Sequence, residues 1–376
     1  MVEVQGIFQQ HGEQYRKAHK LTLVQHKAMS AIGRCRTGEL GAHVDVCENC
    51  GDTQISYNSC RNRHCPKCQM LSKERWIENR KSDLLNVGYF HVVFTLPSEL
   101  RPVLYQNQAV SYNVLFRAVA QTLQELAGKA KFLGARLGFT SILHTWGQNL
   151  SYHPHIHCII PGGGLDSLGK WRDSRKKFFI PVKVLSRLFR GKFLDALRHA
   201  ALSFHGELKF LENLADWNRL LDCCYRKQWV VYCKPPFRDA ACVVEYLGRY
   251  THRVAISNNR ILKFENGKVS FKWWDYKDGN RWKVMTVAAT EFIRRFLMHV
   301  LPPRFTKIRH YGLLSSRDKG ERLLLCKQLT KTPILPKTLL TTAELIQKLT
   351  GRDPSKCPAC GYEKTRLYGL SPPIPV

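Results

Sequence analysis

The chain has few acidic residues for its length. Its 376 residues include 29 Asp and Glu against 59 Lys and Arg, which gives a formal net charge of +30. A charge of this size repels itself unless a polyanion offsets it, and nucleic acid is the commonest polyanionic partner. The alternative is a basic protein that its charge merely keeps in solution. The composition favours nucleic-acid binding.

Long apolar runs and several familiar motifs are also missing. No stretch approaches the roughly 18 apolar residues of a membrane span, and the first residues contain no apolar core typical of a secretion signal. The nucleotide-binding motif GxxxxGK[ST] of helicases is absent, and no segment repeats. We expect a cytoplasmic, nucleoid-associated protein without a membrane partner, which obtains unwound nucleic acid from a host helicase or replication machinery. The oligomeric state stays open.

The pattern of elements predicts an α+β fold on an antiparallel sheet. The strand candidates are 90–97, 138–146, 153–161 and 229–236. A meander is predicted over 254–275, with turns at Asn258-Asn259 and Asn266-Gly267. The predicted regions are a helical segment at 1–40, a cysteine-rich module at 41–85, the sheet domain at 86–300 and a basic C-terminal region at 301–376.

Cysteine is concentrated in the module at 41–85. The pairs Cys47/Cys50 and Cys65/Cys68 have the CxxC spacing that lets two sulfurs reach one ion, and two such pairs are typical of tetrahedral Zn²⁺. We therefore expect a small N-terminal zinc ribbon with these four ligands.

Four further residues are possible additional zinc ligands. Cys60 and His64 could replace a ligand, help to bind a second ion, or contact no metal. Cys357 and Cys360 repeat the CxxC pattern near the end of the chain. They could complete a site with distant residues or form an inert turn.

Basic residues surround the cysteines. Arg61, Arg63 and Lys67 are predicted to contact DNA phosphates, and the alternative is a solvated basic face.

Two histidines on one predicted strand form a candidate for the catalytic metal site. His155 and His157 lie at i and i+2, so both point to the same face, and two imidazoles at this spacing can bind one divalent cation. Gln148 and His144 on the preceding strand are candidates for the third ligand. We favour Gln148, because an amide oxygen suits Mg²⁺ or Mn²⁺. Its alternative role is to cap a turn.

Two tyrosines form a candidate for the nucleophile. Tyr246 and Tyr250 lie four residues apart on one face of a predicted helix, flanked by Arg249 and Arg253, which could bind DNA. A phenol can attack a phosphodiester and form a phosphotyrosine. The alternative is a helix that packs two aromatic rings on a core.

Together these segments resemble the transposases of the insertion-sequence-91 family, which belong to the HUH endonucleases. The similar segments are NSCRNRHCPKCQ at 58–69, HVVFTLPSEL at 91–100, LHTWGQNLSYHPHIHCIIPGGG at 143–164, EYLGRYTHRVAISNNRI at 245–261 and KIRHYGLLSSR at 307–317. The resemblance spans about residues 40–320 and continues weakly to the C-terminal CPACG.

The resemblance implies an HUH-type antiparallel sheet that carries the histidines and is flanked by helices, one of them bearing the tyrosines. It implies rolling-circle-like transposition through single-stranded DNA at the element's ends and target. His155 and His157 match the histidines that hold Mg²⁺ or Mn²⁺. Tyr246 and Tyr250 match the nucleophiles, which leave a 5′-phosphotyrosine and a free 3′-OH. The alternatives are a plasmid replication initiator or relaxase with the same chemistry, a non-catalytic zinc-dependent DNA-binding protein, and an inactive remnant of an element.

Overall fold

The computed structural model describes residues 2–175, 179–237, 243, 246, 248, 255–276, 278–317, 319–334, 336 and 340–370. The helices are α1 (Val4–Ala18), α2 (Leu23–Gly33), α3 (Pro66–Lys81), α4 (Arg101–Gln106), α5 (Gln108–Gly128), α6 (Val182–Arg198), α7 (Leu214–Arg226), α8 (Ala289–Leu297), α9 (Lys319–Leu329) and α10 (Thr342–Thr350). The strands are β1 (Ala42–Cys47), β2 (Thr53–Tyr57), β3 (Tyr89–Thr95), β4 (Gly138–Trp146), β5 (Tyr152–Pro161), β6 (Gly163–Leu165), β7 (Trp171–Asp173), β8 (Val231–Phe237), β9 (Ile261–Glu265), β10 (Lys268–Asp275), β11 (Arg281–Ala288), β12 (Ile308–Gly312) and β13 (Lys364–Leu370).

Within these residues the central sheet has the strand order β12-β4-β5-β3-β8, and its pairs are antiparallel. Successive side chains of a strand point to opposite faces. On β5, Ile156, Cys158 and Ile160 face the main core, where they are buried with side chains of α5 and α6. His155 and His157 therefore face the other side. The predicted histidine pair thus lies on the face of the sheet opposite the main core.

A second hydrophobic core packs the N-terminal helices against elements that lie after residue 255. It packs α1 and α2 against α8 and the sheet β11-β10-β9, with Phe8 edge-on to Phe296 at 5.2 Å between ring centroids. Cys65, the N-cap of α3, is buried in the same cluster. The cysteine-rich module is thus fixed to this core.

The third sheet brings together residues far apart in the sequence. Its order is β13-β1-β2, so the last described strand pairs with the first strand of the chain. In addition, β12 forms an edge of the central sheet by pairing with β4. Strands β12 and β13, both after residue 300, are therefore edge strands of two sheets whose other strands come earlier in the chain.

Most predicted elements form close to their predicted bounds. The antiparallel α+β fold is confirmed, and β4 occupies the predicted residues 138–146. The Asn266-Gly267 turn also forms, with φ of 50° and 67°, as a tight hairpin requires.

Two features of the predicted meander were wrong. The segment 258–260 is a short 3-10 helix instead of a hairpin turn, and the third strand of the meander is β11.

Helix α3 begins at Pro66, inside the second CxxC pair, because proline at the first helical position loses no hydrogen bond. In the part of the chain that the structure describes, no helix is long and apolar enough to cross a lipid bilayer.

Candidate active site and metal centres

Three histidines meet on the face of the central sheet that is turned away from the main core. His144 on β4 is directly opposite His155 on β5, and His157 lies two residues further along β5. Their ring centroids are 4.4 Å apart for His144 and His157, 4.8 Å for His155 and His157, and 5.5 Å for His144 and His155. One ring nitrogen of each lies within 4.8 Å of the others, so the group could hold a metal ion.

Gln148 is placed differently from His144. It lies in the turn that links β4 to β5, half-buried, and its backbone carbonyl accepts a hydrogen bond from the Arg260 guanidinium. The structure therefore brings the histidine, which was the less favoured candidate, into the cluster with His155 and His157.

Hydrogen bonds orient the His155 ring. Its Nδ1 lies 2.6 Å from the carbonyl of His153 and donates to it, which turns Nε2 toward the other two histidines. The ring of His153 is held in turn by Arg101, whose guanidinium donates to Nδ1 at 3.0 Å. Through its backbone carbonyl, His153 thus fixes the orientation of the His155 ring. Burial lowers the pKa of His155 to about 4, so its imidazole is neutral at pH 7, as a metal ligand must be.

A fourth histidine connects the cluster to a tyrosine. His91 on β3 lies with Nε2 2.8 Å from Nδ1 of His157, and the phenol oxygen of Tyr246 lies 2.9 Å from Nδ1 of His91. His91 is only 3% exposed, and burial lowers its pKa to about 3. It is therefore a neutral link between the phenol and the histidine cluster.

Helix α3 packs against the segment that contains Tyr246. Val243, Tyr246 and Gly248 are helical, and Tyr246 packs in an apolar cluster with Trp76 of α3. A Cβ atom at Gly248 would overlap Cδ1 of Ile77, also on α3. Helix α3, which begins at the cysteine module, thus helps to position Tyr246.

Lys234 on β8 adds a positive charge beside the phenol. It is opposite His91 in the register of β3 and β8, and its Nζ lies 5.7 Å from the centroid of the Tyr246 ring. The side chain is exposed, so it can reach an anion that approaches Tyr246. The predicted site residues Tyr250, Arg249 and Arg253 lie outside the described residues.

The cysteines separate into two groups of four. The first contains Cys35, Cys60, Cys65 and Cys68, with Sγ–Sγ distances of 3.6 Å for Cys35–Cys68 and Cys60–Cys68 and 3.7 Å for Cys35–Cys65. A tetrahedral Zn²⁺ with Zn–S bonds of about 2.3 Å places its sulfurs about 3.8 Å apart. The first group fits this arrangement closely.

The second group contains Cys47, Cys50, Cys357 and Cys360. The structure thus does not bring the Cys47/Cys50 pair together with the Cys65/Cys68 pair in one site. Cys60 joins the first group and the C-terminal pair joins the second. The physical reason is the pairing of β1 with β13, which brings the C-terminal turn to the end of β1.

His64 is not part of either group. Its Nε2 accepts a hydrogen bond from the backbone N–H of Leu301 at 3.1 Å, and its backbone N–H donates to the Asn62 side chain at 2.8 Å. Burial lowers its pKa to about 3. His64 fixes the cysteine module to the segment after α8.

Two of the three basic residues predicted to bind DNA contact protein groups instead. Arg63 donates to the backbone carbonyls of Phe305 and Pro302 at 2.6 and 2.8 Å. Lys67 forms an ion pair with Glu3 at 2.5 Å. Arg61 is exposed and lines a surface pocket, so it is the one of the three that faces solvent.

Sequence reasoning missed His91, Lys234 and Cys35 as site residues. His91 and Lys234 lie on predicted strands, but only the pairing of β3 with β5 and β8 shows which face they share with His157. Cys35 belongs to no CxxC pair, so spacing gives it no signal.

Comparison with known proteins identifies the family of the chain. Residues 7–96 match a family model described as "Transposase zinc-binding domain", and residues 138–322 match one described as "Putative transposase". The protein named "Putative transposase y4qJ" from Sinorhizobium fredii is 48% identical over 369 residues, covering 95% of this chain and 92% of that protein. The "Transposase for insertion sequence element IS801" from Pseudomonas savastanoi pv. phaseolicola is 29% identical, covering 90% of this chain and 82% of that protein.

A solved structure, the conjugative relaxase TrwC in complex with mutant oriT DNA, overlaps 43% of this chain and 72% of its own. Its sequence identity is 15% and its TM-score is 0.25, which is too low to support an argument. The assignment therefore depends on the sequence relatives and the two family models. The chain belongs to the insertion-sequence-91 family of transposases, with an N-terminal zinc-binding domain.

Proposed function

We propose that this transposase nicks and rejoins single-stranded DNA at the ends of its element, with Tyr246 and Tyr250 as nucleophiles, in rolling-circle-like transposition. The observation that carries the proposal is the hydrogen-bonded connection from the Tyr246 phenol through His91 to His157 on one face of the sheet. An aromatic ring that only fills a core does not need a polar path of this kind. The net charge of +30 supplies the affinity for a polyanion.

The reaction exchanges one phosphodiester for another. The tyrosine oxygen loses its proton to solvent and attacks the phosphorus, the bond from phosphorus to the 3′ oxygen of the preceding nucleotide breaks, and that oxygen takes up a proton from solvent. The products are a 5′-phosphotyrosine and a free 3′-OH. Because the bond energy is conserved, a 3′-OH can later displace the tyrosine and rejoin the strand.

His144, His155 and His157 would hold the divalent cation, Mg²⁺ or Mn²⁺, with Gln148 the alternative third ligand. The donor set fits, since one ring nitrogen of each histidine lies within 4.8 Å of those of the other two and two of the rings are fixed by second hydrogen bonds. When bound, such an ion polarises the scissile phosphate and offsets the charge of the transition state.

The hydrogen bonds of this connection then all donate in one direction, from His157 through His91 to Tyr246. Nδ1 of His157 is hydrogen-bonded to His91, so Nε2 is the nitrogen that can face the cation, and a ligand nitrogen carries no proton. The proton of His157 therefore sits on Nδ1 and is donated to Nε2 of His91. The proton of His91 sits on Nδ1 and is donated to the phenol oxygen of Tyr246, where it stabilises the phenolate. Lys234, whose Nζ lies 5.7 Å from the centroid of the Tyr246 ring, would place a positive charge near the phenolate and the incoming phosphate.

A covalent-trapping assay tests the proposal. The full chain is mixed with Mn²⁺ and 3′-labelled single-stranded DNA from the ends of its element, and the products are run on a denaturing gel. A labelled protein band is expected, because a 5′-phosphotyrosine retains the 3′ part of the strand. The band should disappear when both Tyr246 and Tyr250 become Phe, and it should persist in Tyr225→Phe, which alters an exposed tyrosine.

Fluorescence anisotropy provides the control for DNA binding, which the phenylalanine variants should retain. A wild-type chain that binds the DNA and yields no covalent band would contradict the proposal. That result would favour a non-catalytic DNA-binding protein.

A further inference from the structure

The second group of cysteines joins the two ends of the chain. Cys47 is the last residue of β1 and Cys50 lies in the turn that follows it, whereas Cys357 and Cys360 lie in the turn before β13. The Sγ atoms of Cys47 and Cys360 are 3.4 Å apart, and those of Cys50 and Cys357 are 3.6 Å apart. All four sulfurs lie within 4.8 Å of one another.

The two turns have the same backbone structure. The N–H of Cys47 donates to the carbonyl of Asp52 at 2.9 Å, and the N–H of Gly51 donates to the carbonyl of Cys47 at 2.8 Å. In the C-terminal turn, the N–H of Cys357 donates to Tyr362 at 2.7 Å, and the N–H of Gly361 donates to Cys357 at 2.9 Å.

Each turn ends on a glycine in the left-handed region, with φ of 70° at Gly51 and 75° at Gly361, a conformation that favours glycine. Two unrelated turns would have no reason to match in hydrogen bonds, glycine position and sulfur placement. The match is typical of paired metal-binding knuckles, each of which aims two thiolates at one point.

We propose that Cys47, Cys50, Cys357 and Cys360 bind a second structural Zn²⁺, separate from the one held by Cys35, Cys60, Cys65 and Cys68. Two Sγ–Sγ distances of 3.4 and 3.6 Å, with all four sulfurs within 4.8 Å of one another, suit tetrahedral Zn²⁺. The matching zinc-binding-domain model ends at residue 96 and contains only the first two of these ligands. The inference does not depend on the proposed strand transfer.

The ion would fasten the C-terminal segment to the module that supports the active site. Strand β13 pairs with β1 from Ala42↔Leu370 to Cys47↔Lys364, so the sulfurs lie at one end of this ladder. Just before these C-terminal cysteines in the chain, α10 lies against α3, where Lys348 forms ion pairs with Glu74 at 2.5 Å and with Glu78.

Helix α3 is also the element that contacts the Tyr246 segment through Ile77. A zinc ion held by cysteines from both ends of the chain would add to the attachment that the β1–β13 pairing and these ion pairs provide.

Zinc content of the purified full chain tests the proposal. Mass spectrometry of the metal should give two zinc ions per wild-type chain and one per chain in the double variant Cys357→Ser/Cys360→Ser. The matched control Cys223→Ser removes an exposed cysteine outside both groups and should keep two. Cys360→His should also keep two, because three cysteines and one histidine form a common zinc site.

Trypsin digestion gives a second measurement that does not depend on activity. In zinc-containing buffer, cleavage near Arg352 and Lys356 should be faster in the double variant than in the wild type or in Cys223→Ser. If the double variant fails to fold, the zinc content of the wild type and of Cys360→His decides. One zinc per wild-type chain, or equal zinc in the double variant and the control, would overturn the second site.

Discussion

The phenol oxygen of Tyr246 forms a 2.9 Å hydrogen bond with Nδ1 of His91. His91 therefore links the proposed nucleophile to the proposed metal ligand His157. We infer that it positions the phenol and supplies the hydrogen bond that stabilises the phenolate.

Replacing His91 should slow formation of the covalent intermediate without weakening DNA binding. His91→Ala removes both hydrogen bonds, and we expect a loss of about 100-fold in the single-turnover rate. His91→Asn places an amide near the position of Nδ1 and should retain more activity than His91→Ala. The pH–rate profile of His91→Ala should move to higher pH, because the phenol loses the donor that favours its ionised form. A purely structural role would lower the thermal stability and leave the pH profile in place.

His144 and Gln148 should differ in their effect on metal binding. We expect His144→Ala to weaken Mn²⁺ binding at least about tenfold, since its ring nitrogen belongs to the cluster with His155 and His157. Gln148→Ala should have a smaller effect, because Gln148 lies in the turn between β4 and β5. Calorimetric titration with Mn²⁺ measures both. The reverse order of effects would favour the amide ligand that the sequence alone suggests.

Gly248 should be intolerant of a larger side chain. A Cβ there would overlap Cδ1 of Ile77, so in Gly248→Ala the Ile77 side chain or the Tyr246 segment must shift. We expect a covalent-intermediate rate lowered about tenfold or more, because a small displacement of a reacting group is costly. The double variant Ile77→Ala/Gly248→Ala should recover part of this loss by opening space. If the double variant is as slow as the product of the two single effects, the contact does not carry the defect.

The sequence predicted what depends on local pattern. Alternation and turn residues identified β3, β4 and β5 and the shared face of His155 and His157, because side chains alternate along a strand wherever it pairs. It could not predict which strands pair. His91 and His144 therefore enter the site only through the registers of β3 and β4 with β5.

The cysteines show the same limit. Spacing pairs cysteines within one turn, so it paired Cys47 with Cys50 and Cys65 with Cys68. Which pairs share an ion is decided by contacts between β1 and β13, whose sequence positions lie at opposite ends of the chain. Likewise, the charge of Arg63 predicted a DNA contact, whereas its guanidinium donates to the carbonyls of Pro302 and Phe305.

Acid should destabilise the protein in part through His64. Burial lowers the pKa of His64 in the folded chain to about 3, whereas an unfolded histidine titrates near 6.5. Between these values the unfolded chain binds more protons than the folded chain, so the free energy of unfolding falls as the pH falls below about 6.5. At pH 5 this one group should cost about 2 kcal/mol relative to pH 7.5.

Urea denaturation at pH 7.5 and pH 5 of the wild type, His64→Gln and His199→Gln measures this contribution. Glutamine can still accept the hydrogen bond from Leu301 but does not titrate, so His64→Gln should lose about 2 kcal/mol less than the wild type on acidification. His199 is exposed and serves as the matched control, which should behave as the wild type does. Any protonation of the cysteine groups is common to all three proteins and cancels in the comparison. Equal losses in His64→Gln and the wild type would show that His64 is not held neutral by the fold.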